Sequence, residues 1–584
     1  MSRYAPSHRP TDRRLILALF AALAAVLLGS ACGVRTESAA ELVLTNAYVF
    51  TADAQGTRAE AVAIRGGSIA YVGTRAEAGL YTGPATRVLD LGGRMVLPGF
   101  IDSHAHPVSA ARALFGVILQ GLGSIEAYQK AVGAFAKAHP DADVIRGGGW
   151  SNTLFPKTGP DRVILDAVVG EVPVVLSSED GHSVWVNSKA LALAGITMQT
   201  PNPPGGVIER DPATGRPGGT LRESAASLVT SLLPGFTQRE LEQGLEAYQT
   251  MALALGITTT HDASIDAGGN EPAAYRALIK SGRLKMRVRA SLYVDPARGP
   301  EEVRALVAER ARNTGPLFQT NAAKIFMDGV VEGVTAYLLQ PYAHRPGFRG
   351  EPLWTPAALN AMCAALAGER FQLHFHAIGD AATAEALDAV AFAEAASGRR
   401  DQRPLLTHLQ LVAPDDIPRF KSLGAVAVPQ PYWFIKDDYY YNLQVPYLGR
   451  ERADLEYPME SFFKAGVVAA SSSDFPVTYP PNPLEGIRAG VTRLKPGVTD
   501  PREILWPEER ASLEEMIGSF TRAGAYANFL ESVTGSIELG KSADLIVLDR
   551  NLFQIRPEEI ARARVLLTLF QGRAVFRDPS FRTP

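Results

Sequence analysis

The 584-residue sequence contains only two cysteines, Cys32 and Cys363. A scaffold held together by many disulfides is therefore excluded. The net charge is also small, because 58 basic residues nearly balance 61 acidic ones. No basic stripe favours nucleic-acid binding. We find no repeat of solenoid length and no low-complexity tract. What is left is a globular protein whose length predicts two or more structural units.

Two common catalytic signatures can also be set aside. The G-x-S-x-G elbow of serine hydrolases does not occur in the sequence. The segment 535–542 does satisfy the phosphate-loop pattern G-x-x-x-x-G-K-S, but such a loop must lie between a strand and the helix it opens. Here it leads into a predicted strand at 544–549, so we expect no nucleotide binding.

The first 31 residues have the composition of a signal peptide. Four arginines precede an apolar stretch, 15–28, that is too short for a typical membrane-spanning helix. Small residues then precede Cys32, which resembles a bacterial lipoprotein signal in which the cysteine is acylated. We expect an exported protein of the cell envelope with a lipid anchor at Cys32; a plain periplasmic or secreted protein is the alternative. No later stretch reaches the length of a transmembrane helix.

Two histidines at the end of an apolar run are the most informative feature. In the segment 97–107, His104 and His106 are two residues apart, so strand alternation directs both imidazoles to the same side. Imidazole is a good ligand for zinc and its neighbours. Four more candidates lie at or near the ends of short apolar runs: Lys324, His376, His408 and Asp474.

This ordered set resembles the amidohydrolase superfamily, and the residues around it resemble the branch that contains N-substituted formamide deformylases. The resemblance covers nearly the whole chain after about residue 40. It implies two divalent metal ions, expected to be zinc, with an N6-carboxylated lysine between them. The implied ligands are His104, His106 and Asp474 for one ion, His376 and His408 for the other, and Lys324 as the bridge. The residues alone leave open a single metal, with Lys324 paired to Asp328.

The fold expected from both lines of reasoning is α/β. Apolar strands alternate with helical patterns in the centre of the chain, as in a (β/α)8 TIM-type barrel. We place this barrel at 98–531, with an insertion at about 140–235 because a barrel of ordinary size needs fewer residues. Short strands occur at both ends of the chain, and the resemblance implies that 41–97 and 532–578 together form one small β-sandwich.

The function implied is hydrolysis of C–N bonds in small amides, N-substituted formamides or cyclic imides by a metal-bound hydroxide. Asp474 would act as general base and then as general acid. An ester or lactone hydrolase using the same site is the first alternative. A non-catalytic envelope binding protein is the second, and the intact set of six ligands argues against it.

Several further side chains are candidates for supporting roles. His374 shares a strand face with His376 and could also reach the metal site, but we expect it to be an interior histidine that supports a metal ligand from behind. We expect the same supporting role for Asp380, four residues after His376. His182 and Trp185 belong to a segment, 180–188, that resembles a substrate-contacting part of the family. His182 could hydrogen-bond the substrate carbonyl, and a histidine that only anchors the loop is the alternative. Two aromatic residues of the segment 430–434 suit an apolar substituent of the substrate, although they could equally lie in the core or at an oligomer contact: Tyr432 and Trp433.

Overall fold

The computed structural model describes residues 1–2 and 39–581. The expected lipidation site, Cys32, lies outside the described residues. Within them, no helix combines the length and the apolar character needed to cross a bilayer.

The N-terminal part of the described chain consists of short strands joined by turns, and all of these strands except β3 contain β-branched residues, which favour strands. A four-stranded sheet has the order β5-β4-β1-β6, and β2, β3 and β7 belong to another sheet. One helix, α1 (Arg75–Ala78), lies in this part. The strands are β1 (Leu42–Thr45), β2 (Tyr48–Phe50), β3 (Arg58–Ala59), β4 (Ala61–Arg65), β5 (Ser68–Gly73), β6 (Arg87–Asp90) and β7 (Met95–Pro98).

One strand, β8 (Phe100–Ala105), then precedes a third sheet. This sheet has the order β13-β14-β12-β11-β10-β9. It contains β9 (Val117–Ile118), β10 (Ile145–Trp150), β11 (Val174–Ser178), β12 (Ser183–Val186), β13 (Gly206–Arg210) and β14 (Pro217–Glu223). The helices around it are α2 (Ala110–Phe115), α3 (Ile125–Ala138), α4 (Arg162–Asp166), α5 (Ser188–Leu193) and α6 (Ser227–Thr230). The inserted sheet therefore starts earlier than the expected 140, because β9 pairs with β10.

Eight parallel strands form the central sheet, which is of the TIM type. They follow chain order: β8, β15 (Ile257–Ile265), β16 (Arg287–Tyr293), β17 (Phe318–Phe326), β18 (Gln372–Ala377), β19 (Leu405–His408), β20 (Val426–Val428) and β21 (Val468–Ala469). The sheet curls, since the segment after β21 meets β8. The Ser103 N–H donates to Ser471 O at 3.3 Å, and the Asp474 N–H donates to His104 O at 2.8 Å.

Helices connect these strands and cover the sheet. A capping box starts the first of them: the Thr237 hydroxyl accepts from the Glu240 N–H, and the Glu240 carboxylate accepts from the Thr237 N–H. The longer helices are α7 (Gln238–Ala254), α8 (Asn270–Lys280), α9 (Val303–Arg310), α10 (Pro356–Gly368), α11 (Asp380–Ser397), α16 (Pro483–Thr492) and α17 (Leu513–Ser519). The shorter ones are α12 (Ile417–Ser422), α13 (Val445–Leu448), α14 (Arg450–Ala453), α15 (Glu460–Lys464) and α18 (Arg522–Ala527).

The last three strands return to the N-terminal part. These are β22 (Leu545–Leu548), β23 (Val565–Phe570) and β24 (Arg573–Arg577). They extend a six-stranded sheet of order β24-β23-β22-β7-β2-β3. Because β7 is separated from β8 by Gly99 alone, this sheet is tied directly to the first strand of the central sheet.

Candidate metal centre

The residues singled out in the sequence lie at one end of the central sheet. His104 is in β8 and His106 follows it, Lys324 is in β17, and His376 is in β18. His408 ends β19, and Asp474 follows β21. The carboxyl ends of parallel barrel strands meet at one face, where enzymes of this architecture place their catalytic groups. The structure therefore brings the six side chains together at the carboxyl-terminal end of the central sheet.

Three of the six form a compact cluster of donor atoms. One ligand atom each from His104, His106 and Asp474 lies within 4.8 Å of the other two. Asp474 Oδ1 is 3.4 Å from His104 Nε2 and 3.2 Å from His106 Nε2. This oxygen is buried without a hydrogen bond from any described donor, which a native protein rarely leaves uncompensated. Two imidazole nitrogens and a carboxylate oxygen are a donor set that suits zinc.

The loop that carries Asp474 is held by an interaction that the sequence did not reveal. Asp102 accepts hydrogen bonds from the N–H of Ser473 at 2.9 Å and from its hydroxyl at 2.5 Å. Asp474 itself has a φ of 55°, which side chains with a Cβ seldom adopt. The hydrogen bond from its N–H to His104 O stabilises this conformation and aims the carboxylate at the histidines.

Electrostatics keep Asp474 ionised. Burial works to raise the pKa of this carboxyl, but the imidazole of His106, 3.2 Å away, and the positive potential of neighbouring groups bring the pKa below its ordinary value. Asp474 is therefore a carboxylate at neutral pH, the form that can bind a cation or accept a proton.

Lys324 lies next to this cluster and is almost fully buried. Its Nζ is 3.3 Å from His104 Nε2, and burial lowers the pKa of its ammonium group to about 7 although Asp474 acts in the other direction. The structure does not show the alternative pairing with Asp328. The Asp328 carboxylate instead accepts three backbone N–H groups, those of Tyr337, Ile378 and Gly379, at 2.8 to 3.0 Å.

His376 and His408 form the second part of the site, with ring centroids 4.4 Å apart. His376 Nε2 lies 3.1 Å from Gly329 O, and His408 Nδ1 lies 3.1 Å from Gln430 Oε1. Burial lowers the pKa of His408 to about 3 and that of His376 well below its usual value. Both imidazoles are therefore neutral, as metal ligands must be.

The two residues expected to support the ligands lie in different places. His374 is directly behind His104, with Nε2 2.9 Å from His104 Nδ1. Asp380 instead begins α11 and accepts the N–H of Leu339 at 2.8 Å. The carboxylate that lies beside His376 is that of Asp328, whose Oδ1 is 3.8 Å from His376 Nε2.

His182 faces His376 across a cavity, with ring centroids 5.0 Å apart. Its Nδ1 lies 2.9 Å from Glu223 Oε2. Burial opposes a charge on His182, but the Glu223 carboxylate outweighs this effect and raises the pKa of the imidazole to about 9. His182 is therefore an imidazolium at neutral pH. Since Nδ1 is taken by Glu223, its Nε2–H is the group left for a ligand.

A cavity of about 260 Å³ opens from the metal cluster. Its wall includes Asp474, His376, His408 and His182 together with three aromatic rings and four further carboxyl groups: Trp433, Tyr439, Tyr457, Glu179, Asp180, Glu332 and Asp437. The Trp433 ring stacks on His408 at 5.8 Å between centroids. The inserted sheet thus contributes one side of the cavity and the central sheet the other.

Two of the aromatic residues expected at the substrate are in the interior instead. Trp185 is fully buried in the core of the inserted sheet, where its indole N–H donates to Asp161 O at 3.1 Å. Tyr432 packs against Phe520 in the central core, with ring centroids 6.2 Å apart. In each case a residue nearby in the sequence lines the cavity instead. His182, just before β12, does so near Trp185, and Trp433 does so next to Tyr432.

Sequence reasoning missed two acidic residues of the site, Asp102 and Glu223, and considered Asp328 only as a partner of Lys324. Asp102 and Asp328 each lie close to a predicted ligand, so their position next to His104 and Lys324 was a usable signal. Glu223 is 41 residues from His182, and no local pattern connects the two.

Comparisons with known proteins identify the family of this chain. A model of the amidohydrolase family matches residues 87–576. The protein LONG AFTER FAR-RED 3 of Arabidopsis thaliana is 31% identical over 92% of this chain and 92% of its own length. The N-substituted formamide deformylase of Arthrobacter pascens is 29% identical over 91% of this chain and 97% of its own. The crystal structure of an uncharacterized metal-dependent hydrolase from Pyrococcus furiosus superimposes with a TM-score of 0.67 at 26% identity, covering 87% of this chain and 99% of that one.

Proposed function

Because this chain belongs to the amidohydrolase family, we propose that it is a metal-dependent hydrolase that cleaves C–N bonds of small amides, N-substituted formamides or cyclic imides. The observation that carries the proposal is the cluster of His104, His106 and Asp474, whose donor atoms converge at the edge of a cavity of about 260 Å³. The similarity to a formamide deformylase over 91% of the chain supports the choice of bond.

The residues present fit a divalent metal. His104, His106 and Asp474 would hold one ion, and His376 and His408 would hold a second. Lys324 would bridge them once it is carboxylated, and a lysine with a pKa of about 7 has a substantial neutral fraction able to react with carbon dioxide. A metal bound there supplies a water of lowered pKa and polarises the carbonyl of the substrate.

Asp474 is the proton carrier of the proposed reaction. Its carboxylate is ionised, borders the cavity and has an oxygen free of hydrogen bonds. Its carboxylate would take a proton from the attacking water and pass it to the leaving nitrogen. The hydrogen bonds from Ser473 to Asp102 hold the loop that carries this carboxylate.

His182 is suited to binding the substrate carbonyl from the opposite side. Its charge is supported by Glu223, and its Nε2–H is available to donate a hydrogen bond that strengthens as negative charge develops on the oxygen. The ring of Trp433 offers a flat surface for the substituent on the amide nitrogen.

The test is a substrate panel with the zinc-loaded chain, prepared with bicarbonate. The panel contains N-substituted formamides, small amides, cyclic imides and lactones, and release of each product is measured. We expect turnover of at least one C–N substrate and slower turnover of lactones. Faster lactone turnover would assign an ester hydrolase to the site. No turnover of any member by protein that contains zinc would overturn the proposal and favour a binding protein.

We further propose that the protein is exported and anchored by a lipid at Cys32. The support is the sequence alone: arginines, an apolar stretch and small residues before the cysteine. Cell fractionation and mass spectrometry of the mature N-terminus test this. An acylated N-terminal cysteine in the membrane fraction is expected, and a soluble form lacking acyl groups would contradict it.

We also infer that the two ends of the chain build one small β-sandwich. Strands from both ends share the sheet that contains β7 and β22. A hydrophobic cluster joins residues of this sheet, such as Val96 and Leu545, to residues of the four-stranded sheet, such as Leu44 and Val62. An experimental structure in which the two sheets do not face each other would contradict the inference.

A further inference from the structure

A chain of buried hydrogen bonds crosses the barrel interior and ends at His104. Four of its members lie on strands of the central sheet, and the fifth is the residue after α18. Each of the five is at most 1% exposed. Four contacts make up the chain: Asn528 Oδ1 to His261 Nδ1 at 2.8 Å, His261 Nε2 to Ser291 Oγ at 2.7 Å, Ser291 Oγ to His374 Nδ1 at 2.7 Å, and His374 Nε2 to His104 Nδ1 at 2.9 Å.

The side-chain amide of Asn528 sets the direction of the first bond. Its Nδ2 donates to Gly524 O at 2.8 Å, which places the amide oxygen, and not the nitrogen, against His261. An amide oxygen can only accept. His261 must therefore carry its proton on Nδ1.

The donor in each hydrogen bond then determines the donor in the next. A neutral imidazole has one N–H, so His261 Nε2 accepts the single proton of the Ser291 hydroxyl. The Ser291 oxygen in turn accepts from His374 Nδ1, which leaves His374 Nε2 as an acceptor. His104 must then donate from Nδ1. His261 and His374 are neutral because both are buried and their nitrogens contact an amide, hydroxyl groups and another imidazole, none of which compensates a charge.

We infer that Asn528, His261, Ser291 and His374 are positioning residues that fix the tautomer of His104, with the proton on Nδ1 and the Nε2 lone pair directed at Asp474 and Lys324. The inference rests on the proposed metal site, since a metal needs that lone pair. Water ordinarily favours the other tautomer, which would put a proton where the metal has to bind. The chain of hydrogen bonds therefore prepares His104 as a ligand before any ion arrives.

The first test reads the tautomers of the unmodified chain by nuclear magnetic resonance and uses substitutions only to assign the signals. The full chain is prepared without metal and with 15N-labelled histidine, and the two nitrogens of each ring are distinguished by long-range 1H–15N spectra. Replacing one histidine at a time with glutamine assigns the signals. His104, His261 and His374 are all expected as Nδ1–H tautomers. An Nε2–H signal from any of the three overturns the inference.

The second test compares two variants that touch the same ring. Ser291→Ala removes the acceptor of His374 Nδ1–H and frees His374 to adopt the opposite tautomer, which would push the proton of His104 onto Nε2. Thr407→Val removes an equally buried hydroxyl, 2.9 Å from His374 Nε2, without changing the direction of the chain. Zinc affinity is measured by competition with a chelator, and circular dichroism checks folding.

We expect zinc to bind Ser291→Ala about 10- to 100-fold more weakly, the range found when a partner of a metal ligand is removed, and Thr407→Val close to the unmodified chain. Equal affinities in the two variants overturn the inference. If Ser291→Ala does not fold, the spectra of the unmodified chain decide. Because neither readout involves a substrate, an inactive substrate panel would contradict the proposed function and leave the tautomer result standing.

Discussion

At the scale of the residue, Asp262 shows how burial couples a single proton to stability. It lies on β15, and its Oδ2 accepts the Tyr275 hydroxyl at 2.7 Å, while Oδ1 is buried without a partner. Burial raises the pKa of this carboxyl to about 8. The folded state therefore holds a proton that the unfolded chain releases near pH 4.

The sign of the effect follows from this difference. The contribution of Asp262 to the free energy of unfolding is present in full below about pH 4 and is lost as the pH rises through about 8. The slope amounts to about 1.4 kcal/mol for each pH unit in that window. Asp262→Asn should therefore lose less stability than the unmodified chain between pH 5 and pH 8, measured by thermal unfolding. Parallel curves for the two proteins would show that Asp262 is ionised in the fold.

Asp474→Asn tests the proton carrier. The amide keeps an oxygen for the metal but cannot accept a proton, so zinc content should stay near that of the unmodified chain. Turnover of the best substrate should fall by about 10²- to 10⁴-fold, the usual contribution of general acid–base catalysis. Asp415→Asn, at an exposed carboxylate, serves as the control. An Asp474→Asn variant that keeps full activity would assign the proton transfer to another group.

Lys324→Ala tests the bridge. Removing the side chain should lower the zinc content per chain, measured by elemental analysis, and short carboxylic acids such as propionate should restore part of it by supplying the missing oxygen atoms. The exposed Lys285→Ala is the matched control and should bind as much zinc as the unmodified chain. Unchanged zinc content in Lys324→Ala would place the lysine outside the metal site.

Single residues of the site could be predicted where residues of a suitable type occur at a spacing that brings their side chains together, or in a segment that resembles the family. His104 and His106 were found because strand alternation directs them together, and His182 because its segment resembles one of the family. Trp185 was misplaced because it lies within β12, where residues of both faces pack into hydrophobic clusters, and whether a strand face is buried depends on tertiary packing. Glu223 was missed for a similar reason, since its φ of 50° and its partner are set by distant contacts.

At the scale of the element, the approach of α7 to α2 determines where the residues after His106 lie. Gly244 is in the middle of α7, and a Cβ there would be 2.5 Å from the N atom of Ala111 in α2. Glycine costs a helix about 0.5–1 kcal/mol relative to alanine, so its presence here reflects the close contact. The short helix α2 follows His106 almost directly.

Gly244→Ala should therefore destabilise the protein by about 1–3 kcal/mol through overpacking and lower its zinc content by displacing His106. Gly133→Ala is the control, because Gly133 lies in α3 and its nearest neighbour to an added Cβ is 3.9 Å away. That variant should gain about 0.5–1 kcal/mol. Equal unfolding temperatures for the two variants would mean that α7 and α2 are not in close contact.

The alternation of strands and helices from 98 to 531 was enough to predict a parallel sheet of the TIM type. The start of the insertion was placed too late, because β9 has only two residues and no periodicity can be recognised in so short a strand. It pairs with β10 through Gly147, where a Cβ would lie 2.1 Å from Val117 O. Such pairing is visible only once both strands are placed.

At the scale of the whole molecule, the two ends of the chain depend on each other. β22 lies between β23 and β7, and the buried Arg287 of β16 is paired with Asp544. Removal of residues 532–584 would expose the core of the terminal sheets and leave Arg287 as an uncompensated buried charge. We expect this truncation to abolish soluble expression, and removal of 582–584 alone to have no effect. A soluble, protease-resistant 1–531 fragment would contradict this dependence.

The pairing of β7 with β22 also has a consequence for how the protein is made. The ribosome releases His104 and His106 long before Asp474, and β7 waits for its neighbour β22 until nearly the whole polypeptide has been synthesised. A nascent chain thus presents two histidines without their carboxylate and an open strand edge beside them. The three donors His104, His106 and Asp474 are therefore together only after most of the chain has been made, and any partner that protects the growing chain must cover the edge of β7 until synthesis ends.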